Sequence, residues 1–391
     1  MTYFVGIDIA KHKHDCFIMN HLGEIIHDSF SFTNDRLGFT QFIDALSKLN
    51  ASQAIQIGLE ATGHYGMNLK VFLEANGFSF MEFNPMLVRR FSQATTLRRT
   101  KTDKIDAKQI ALHLTSVEYK PYPNKSYHIK NLKSLTRYRD SLVKHRSLQL
   151  VTLTNILDRM FPEFKPFFKH SLTSATCVYL LDHYGTPSKI ARMNLDSYSK
   201  MSSKLRRTFS YAKFMELKRL AKDTVGLEDP ILSFQLQLAL DAYHFAQSQV
   251  EAVELHIANE YAQIHAHIHS IKGIGLQSAA SIFAEAAPFE RFDSYNQLLA
   301  FAGLEPSRHQ SGNTEVKGYM VKHGSPYLRQ TLMNVSTSML IHNPVLYEFY
   351  RKKRSEGKHH RVALSHVAKR LVRIIYHLEI YNTDFDFAKM R

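Results

Sequence analysis

The order of secondary-structure signals in the N-terminal part constrains the fold of this chain most strongly. Three β-rich runs come first, at Tyr3–Ala10, Asp15–Asn20 and Glu24–Phe32, and His21-Leu22-Gly23 forms a turn between the last two. Short β-rich runs separated by turn residues are typical of strands that pair with their neighbours in the chain. The opening segment is therefore predicted to be an antiparallel β-meander.

Helices and strands then alternate along the chain. Asn34 or Asp35 can cap a helix that continues to about Leu49. The next predicted elements are a strand over Gln53–Glu60, a helix over Gly66–Ala75, a strand over Phe78–Asn84 and a helix that begins at Pro85. Three antiparallel strands followed by alternating strands and helices are the order of an RNase H-like α/β sheet. We predict such a domain over residues 1–120.

The remainder of the chain is predicted to be mainly helical. Two long helices are expected, from about Ser126 to Phe161 and from about Pro230 to His265. They are expected to form an antiparallel coiled coil or a dimer zipper within a linker over residues 121–265, which contains an insertion at 165–230. The C-terminal domain, over residues 266–391, is expected to contain a compact α-rich unit at 268–345 and a basic tail that is helical over Val362–Tyr376.

Positive charge is concentrated in two stretches. The chain has 50 Lys and Arg against 35 Asp and Glu, a net charge of +15. Between Arg89 and Arg146 there are 15 bases and 4 acids, and between Arg351 and Arg373 there are 9 bases and 1 acid. Such clusters neutralise nucleic-acid phosphates, and an aromatic residue lies within or beside each. They predict a nucleic-acid partner rather than an ordinary solvated surface.

Cysteine content and hydropathy exclude several classes of protein. The two cysteines, Cys16 and Cys177, cannot form a disulfide framework or a CxxC-type zinc site. The N-terminus lacks the basic region of a secretion signal, and no run of about 18 apolar residues occurs. These features predict a cytoplasmic protein without a membrane partner.

Four carboxylates lie on the first predicted strand, at the end of a later strand and at the start of a helix. Asp8 lies within the first strand, and Glu60 closes a later strand. Asp103 and Asp106 are three residues apart, which places both on one face of the first turn of a helix. Each acid alone has an ordinary explanation, as a solvated or helix-capping residue. Four carboxylates at one site suit two Mg²⁺ ions in phosphoryl chemistry, so nucleic-acid cleavage is the first hypothesis.

Basic residues precede the last pair of acids. Arg98, Arg99 and Lys101 are expected to hold a phosphodiester beside them. In the C-terminal part, Gly273-Ile274-Gly275 before a helix has the form of a helix-hairpin-helix turn, whose backbone N–H groups bind phosphate. A GxG turn between helices is also common without any DNA role.

Ser311 begins a turn signal, Ser311-Gly312-Asn313. By composition alone it shapes a loop, because a serine hydroxyl is a weak nucleophile until a base, a metal or cations activate it. Arg308, Lys317 and Lys322 could supply such cations and contact DNA.

The ordered motifs together resemble the DEDD transposases of the insertion-sequence 110 family. The resemblance covers about residues 1–115 and 268–345. The N-terminal motifs are Gly6-Ile7-Asp8-Ile9-Ala10-Lys11, Glu60-Ala61-Thr62-Gly63, Asn84-Pro85 and Arg99-Thr100-Lys101-Thr102-Asp103-Lys104-Ile105-Asp106-Ala107. The C-terminal motifs are Gly273-Ile274-Gly275, Phe301-Ala302-Gly303-Leu304-Glu305-Pro306 and Gln310-Ser311-Gly312.

The resemblance implies a RuvC-like N-terminal domain, a coiled coil and a C-terminal transposase domain. Asp8, Glu60, Asp103 and Asp106 would then be a Mg²⁺-binding tetrad, and Ser311 would match the catalytic serine of the family. It further implies a dimeric or tetrameric recombinase that acts on donor and target DNA under the guidance of a structured bridge RNA. The serine would form a transient covalent bond to DNA, so that rejoining needs no ATP.

Two other functions stay open at this stage. A RuvC-like structure-specific endonuclease would use the tetrad and Mg²⁺ but would not need Ser311. A non-catalytic architectural protein that binds DNA or RNA would need neither, and the presence of all four acids weighs against it.

Overall fold

The computed structural model describes residues 2–50, 52–61, 63–95, 103–121, 127–169, 171–205, 209–311 and 314–390. At residues 103, 127, 307–311, 314–319 and 389–390 only the backbone is described. The chain divides into a unit over residues 1–124 and a unit over residues 125–391. The three-part division expected from the sequence stays a prediction.

The N-terminal unit is an α/β domain. Its elements are β1 (Thr2–Ile9), β2 (Lys13–Asn20), β3 (Ile25–Thr33), α1 (Arg36–Ser47), β4 (Ala54–Glu60), α2 (Met67–Ala75), β5 (Phe80–Phe83), α3 (Pro85–Thr95) and α4 (Asp103–Thr115). Asp35 caps α1, since its side chain accepts a hydrogen bond from the amide of Gly38 at 2.8 Å.

The five strands form one mixed sheet in the order β3-β2-β1-β4-β5. The pairs β3–β2 and β2–β1 are antiparallel, whereas β1–β4 and β4–β5 are parallel. This arrangement is compatible with the RNase H-like domain predicted from the sequence.

Each face of the sheet is covered by helices. On one face, Val5, Ile7 and Ile57 pack with residues of α1 and α2 in a single buried cluster. On the other face, Phe17 and Met19 of β2 pack against α4. Because successive side chains of a strand point to opposite faces, the residues of β1 divide between these two layers.

The C-terminal unit is built on two long helices, α5 (Tyr127–Met160) and α11 (Pro230–Ala262). They run antiparallel, because residues with higher numbers on α5 contact residues with lower numbers on α11. The pairs are His128 with Glu260 at 2.8 Å, Arg139 with Glu254 at 2.7 Å and Arg146 with Gln247 at 2.7 Å. The predicted long helices and their antiparallel direction are thus found; supercoiling stays a prediction.

The segment between the long helices has its own hydrophobic core. It comprises α6 (Phe164–Phe167), α7 (Ala175–His183), α8 (Pro187–Ala191), α9 (Leu195–Lys204) and α10 (Tyr211–Lys222). Phe164, Cys177, Leu180 and Phe214 are fully buried there and pack against one end of α5 and α11. This end of the helix pair is therefore capped by a small helical layer.

The final part is mainly helical but contains a β-hairpin. Its elements are α12 (Leu276–Ala286), α13 (Tyr295–Phe301), β6 (Pro306–Ser311), β7 (Thr314–Met320), α14 (Pro326–His342), α15 (Pro344–Ser355) and α16 (His360–Tyr381), with single 3₁₀ turns at Ile268–Ser270, Phe289–Arg291 and Phe387–Met390. No described helix combines the length and the apolar character that crossing a membrane requires.

Candidate active site

Two glycines place Asp8 and Glu60 on the same face of the sheet. A β-carbon at Gly6 would overlap the backbone of Ala107 and Ala111, so Gly6 faces α4. A β-carbon at Gly58 would lie 2.9 Å from the side chain of Leu114 on the same helix. Side chains two residues apart in a strand share a face, and Asp8 and Glu60 follow these glycines by two residues.

The two acids also occupy neighbouring strand ends. β1 and β4 are parallel, and Ile7 pairs with Leu59 in their register. Asp8 and Glu60 are the next residues of their strands, so they lie side by side at the carboxyl ends. Both residues are partly exposed.

Helix α4 crosses the face of the sheet on which Asp8 and Glu60 lie. Near its start, the carbonyl of Lys104 accepts a hydrogen bond from the Ser29 hydroxyl of β3 at 3.2 Å. Further along, Ala107 contacts β1, and Leu114 contacts β4. The contact between Ala107 and Gly6 is close because neither residue has a side chain larger than methyl, so the helix lies against the strand backbone.

The last two acids of the predicted tetrad lie in the first turn of α4. The helix begins at Asp103, and Asp106 is partly exposed. The side chain of Asp103 and the residues Arg98, Arg99 and Lys101 lie outside the described part of the chain. Within that part, no group of three or more His, Cys, Asp or Glu side chains is arranged to hold a metal ion. The tetrad therefore stays a prediction.

A further acid in this region was not singled out from the sequence. Asp15 of β2 lies opposite Asp8 in the β1–β2 register, and it is only 1% exposed. Its carboxylate accepts a hydrogen bond from the Ser31 hydroxyl at 2.5 Å and lies 3.3 Å from the Lys13 ammonium. The hairpin register that brings it beside Asp8 depends on turn geometry, which the sequence pattern left open.

The two cysteines do not provide a nucleophile. Burial and the charge of Asp15 raise the pKa of the Cys16 thiol, and burial raises the pKa of Cys177 to about 12. Both thiols are buried and free. Because the thiolate is the reactive form, both residues act as small core side chains.

Ser311 is the last residue of β6 and pairs with Thr314 of β7 across the turn. The structure describes only the backbone of Ser311, Arg308 and Lys317. Residues 312 and 313 lie outside the described part of the chain. The base of the hairpin is fixed by two hydrogen bonds of 2.8 Å, from the amide of Val321 to Glu305 and from the amide of Ser325 to Phe301. The predicted turn thus falls between two paired strands, β6 and β7, which are anchored at their other end.

A buried carboxylate ties the base of this hairpin to the long helix. Glu285 of α12 is 1% exposed and accepts hydrogen bonds from Arg137 of α5 at 2.6 and 3.0 Å. It also accepts one from the Ser325 hydroxyl at 2.9 Å, and the Lys133 ammonium lies 3.7 Å away. Burial by itself raises the pKa of a carboxyl, but these partners outweigh it and lower the pKa of Glu285.

The two glycines of the predicted phosphate-binding turn differ in their surroundings. Gly273 has a φ of 101°, and a β-carbon there would lie 2.6 Å from Met339 and 2.8 Å from His342. Gly275 precedes α12, and nothing lies within 4 Å of a β-carbon at that position. Gly273 therefore packs against α14, whereas Gly275 and the start of α12 are open. The segment before this turn is a single 3₁₀ turn, and the helix-hairpin-helix stays a prediction.

The C-terminal basic stretch lies on α15 and the start of α16. Arg351, Lys352, Arg354 and Arg361 are exposed. Two bases of this region are engaged locally, since Lys353 pairs with Glu356 at 2.8 Å and Arg354 donates to the carbonyl of Lys358 at 2.8 Å. Lys322, in the loop after the hairpin, is also exposed.

Comparison with known proteins identifies two transposase regions in the chain. A family model of DEDD transposases of the IS110 type, described as a transposase, matches residues 5–162. A second model, described as a transposase of the IS116/IS110/IS902 family, matches residues 265–351. The first match contains the four predicted acids, and the second contains the Gly273–Gly275 turn and the hairpin.

Similar proteins extend over nearly the whole chain. The mini-circle putative transposase for IS117 of Streptomyces coelicolor is 24% identical over 99% of this chain and 96% of its own length. The transposase for insertion sequence element IS1111A of Coxiella burnetii is 22% identical over 86% of this chain and 78% of its own length. The pilin gene-inverting protein of Moraxella lacunata is 22% identical over 98% of this chain and 97% of its own length. The chain belongs to the IS110 family of transposases.

Proposed function

We propose that this transposase is a DNA recombinase of an insertion sequence, which cuts and rejoins DNA strands with an acidic metal site and a serine nucleophile. The observation that carries the proposal is the placement of Asp8 and Glu60 side by side at the ends of two parallel strands, beneath the helix that begins at Asp103. This placement brings together Asp8 and Glu60, which are far apart in the sequence, and the proposal adds Asp103 and Asp106 from the first turn of the helix on the same face.

The donor set suits a hard divalent cation. Asp8, Glu60, Asp103 and Asp106 offer only carboxylate oxygens, the ligands that Mg²⁺ prefers. When bound, the metal would stabilise negative charge that develops on the phosphodiester. The chain's own contribution is to hold the acids on a rigid sheet edge, while Arg98, Arg99 and Lys101 bind the phosphate backbone next to them.

The serine step conserves the energy of the DNA backbone. The Ser311 oxygen would form a bond to phosphorus while the bond from phosphorus to a deoxyribose oxygen breaks, and that oxygen leaves as a hydroxyl. Attack of a hydroxyl from another strand end on the same phosphorus reverses the step and frees the serine. Arg308, Lys317 and Lys322 would neutralise the charge on the phosphate during both transfers.

Rejoining distinguishes this proposal from a simple nuclease. One relative that matches almost the full chain is named a pilin gene-inverting protein, and inverting a gene requires cut strands to be joined again. The test is strand exchange on a paired DNA substrate with wild-type protein, Asp8→Asn and Ser311→Ala. Loss of exchange in both variants, with DNA binding retained, is the expected result. Full exchange by Ser311→Ala would refute the serine mechanism, and cleavage without any joining would support the endonuclease.

A guide RNA is the second predicted partner. Arg351, Lys352, Arg354, Arg361 and Arg373 of α15 and α16 are exposed, and they would offer phosphates a surface in addition to the one beside the acids. The experiment is sequencing of the nucleic acid that co-purifies with the protein. A discrete RNA transcribed from beside the gene is expected, whereas random fragments would contradict guidance by a bridge RNA.

A second copy of the chain is the third predicted partner, and α11 presents a surface for it. Ile231, Phe234, Leu238, Phe245 and Leu255 are between 53% and 65% exposed. They occupy a and d positions of one heptad repeat, on a side of α11 other than the one that packs on α5. Such a stripe predicts a dimer formed through this helix.

Light scattering on the purified chain tests the dimer. The double variant Leu238→Glu and Phe245→Glu is expected to be monomeric, because charge in the stripe opposes self-association. Leu195→Glu is the matched control, since Leu195 is also 62% exposed but lies on α9. A dimer that persists in the double variant would place the interface elsewhere.

A further inference from the structure

Asp15 holds a buried negative charge beside the first acid of the proposed site. It lies opposite Asp8 in the antiparallel β1–β2 pair, so the two side chains share the face covered by α4. Opposite residues in such a pair have β-carbons about 4.5–5.5 Å apart. Asp15 is 1% exposed, whereas Asp8 is partly exposed.

The partners of Asp15 fix its position and occupy both oxygens. Ser31 of β3 donates its hydroxyl hydrogen to Oδ1 at 2.5 Å. The Lys13 ammonium lies 3.3 Å from Oδ2, and the Lys13 side chain is 50% exposed. Because water screens an exposed ammonium, Lys13 offsets only part of the negative charge of Asp15. Asp15 is therefore held as a fixed charge within the sheet, while Asp8 beside it is partly exposed.

We infer that Asp15 is a positioning residue of the acidic site, which acts through Asp8 to strengthen the binding of a divalent cation there. Two neighbouring carboxylates repel each other, and a cation at the exposed one removes that repulsion. The buried charge thus makes the empty site unfavourable and the loaded site favourable. This inference rests on the proposed function, since it requires a cation at Asp8.

The competing explanation is structural. A buried carboxylate bonded to Ser31 also joins β2 to β3, and its removal would then lower stability without any specific effect on metal. The two explanations differ in what happens to metal affinity in a protein that stays folded. Metal binding without nucleic acid is therefore the readout, and Mn²⁺ is the probe.

The experiment is calorimetric titration of Mn²⁺ into the full chain, with thermal unfolding of each variant measured without metal. Asp15→Asn is expected to weaken Mn²⁺ binding about tenfold, the effect of removing one charge near the ion. Asp44→Asn is the matched control, because Asp44 is an exposed acid of α1, on the opposite face of the sheet. This variant is expected to bind Mn²⁺ as tightly as wild type.

A second variant, with the opposite expected effect on Mn²⁺ affinity, keeps the test decisive if Asp15→Asn does not fold. Lys13→Gln removes the partly exposed counter-charge and leaves Asp15 in place, so Mn²⁺ is expected to bind about threefold more tightly. Unchanged affinity in Lys13→Gln would overturn the inference.

The proposed function and this inference fail in different ways. If wild type binds no Mn²⁺, or if Asp8→Asn binds it equally well, the metal site itself is wrong. If Asp8→Asn abolishes binding and a folded Asp15→Asn binds like wild type, only the role of Asp15 is wrong.

Discussion

Ser325, which caps the N-terminus of α14, donates its hydroxyl hydrogen to the buried carboxylate of Glu285 at 2.9 Å. Glu285 in turn accepts two hydrogen bonds from Arg137 of α5. The helix that follows the β6–β7 hairpin is therefore joined, through one carboxylate, to both α12 and the long helix. The position of the hairpin depends on this connection because its return strand leads directly to Ser325.

Removal of the charge at this junction is expected to destabilise the C-terminal unit. Glu285→Gln replaces a buried carboxylate by a neutral amide and so weakens its hydrogen bonds with the guanidinium of Arg137, whose side chain is 41% exposed. Hydrogen bonds to charged groups contribute about 1.5–3 kcal/mol. Denaturant unfolding followed by circular dichroism measures the change. Glu290→Gln is the matched control, since Glu290 is exposed on the next turn, and an equal effect of both substitutions would contradict the prediction.

The same residue predicts a dependence of stability on pH. The pKa of Glu285 is lowered in the folded protein, so its contribution is complete above its pKa in the unfolded chain, about 4.3, and is lost as pH falls through the folded value. The difference in unfolding free energy between wild type and Glu285→Gln is thus expected to shrink as pH falls below about 4.3. A difference that stays constant from neutral to acidic pH would show that the charge is not responsible.

The close approach of α4 to β1 gives a prediction for the N-terminal unit. At Gly6 a new methyl group would meet the backbone of Ala107 and Ala111, which cannot move without displacing the helix. At Gly58 the nearest atoms that it would meet belong to the side chains of Leu114 and Phe83, which can rotate. Gly6→Ala is therefore expected to lower the free energy of unfolding by about 1–3 kcal/mol and to abolish strand exchange. Gly58→Ala is expected to have a smaller effect on stability and on strand exchange. Equal losses in thermal unfolding would refute the backbone contact.

The sequence predicted local elements better than their pairing. The strands and helices of the N-terminal unit lie within a few residues of their predicted bounds, because alternation and turn residues report directly on local conformation. The sequence placed Asp8 within the first strand and Glu60 at the end of a later one, but the parallel pairing that sets them side by side is known only from the structure. The position of Asp15 could not be predicted either, because a shift of one residue in the β1–β2 register would turn its side chain to the other face of the sheet.

The C-terminal unit shows the same limit. Residues 268–345 were expected to be α-rich, and the β6–β7 hairpin around Ser311 was not foreseen beyond its turn. Its strands are short and rich in polar residues, so they lack the apolar alternation that marks a half-buried strand. The Glu285–Arg137 pair joins residues far apart in the sequence, and spacing along the chain does not reveal such contacts.

The turn before α12 provides a direct test of DNA contact in the C-terminal unit. Gly275 is open and precedes the helix, so Gly275→Asp supplies a good N-cap but adds negative charge where a phosphate would bind. Loss of an anion contact worth about 1 kcal/mol corresponds to about fivefold weaker DNA binding, with a smaller effect at high salt. Gly273→Ala is the contrasting variant: Gly273 has positive φ and packs on Met339, so its substitution is expected to lower thermal stability instead. Unchanged DNA affinity of Gly275→Asp at low salt, measured by fluorescence anisotropy, would exclude this turn from the DNA-binding surface.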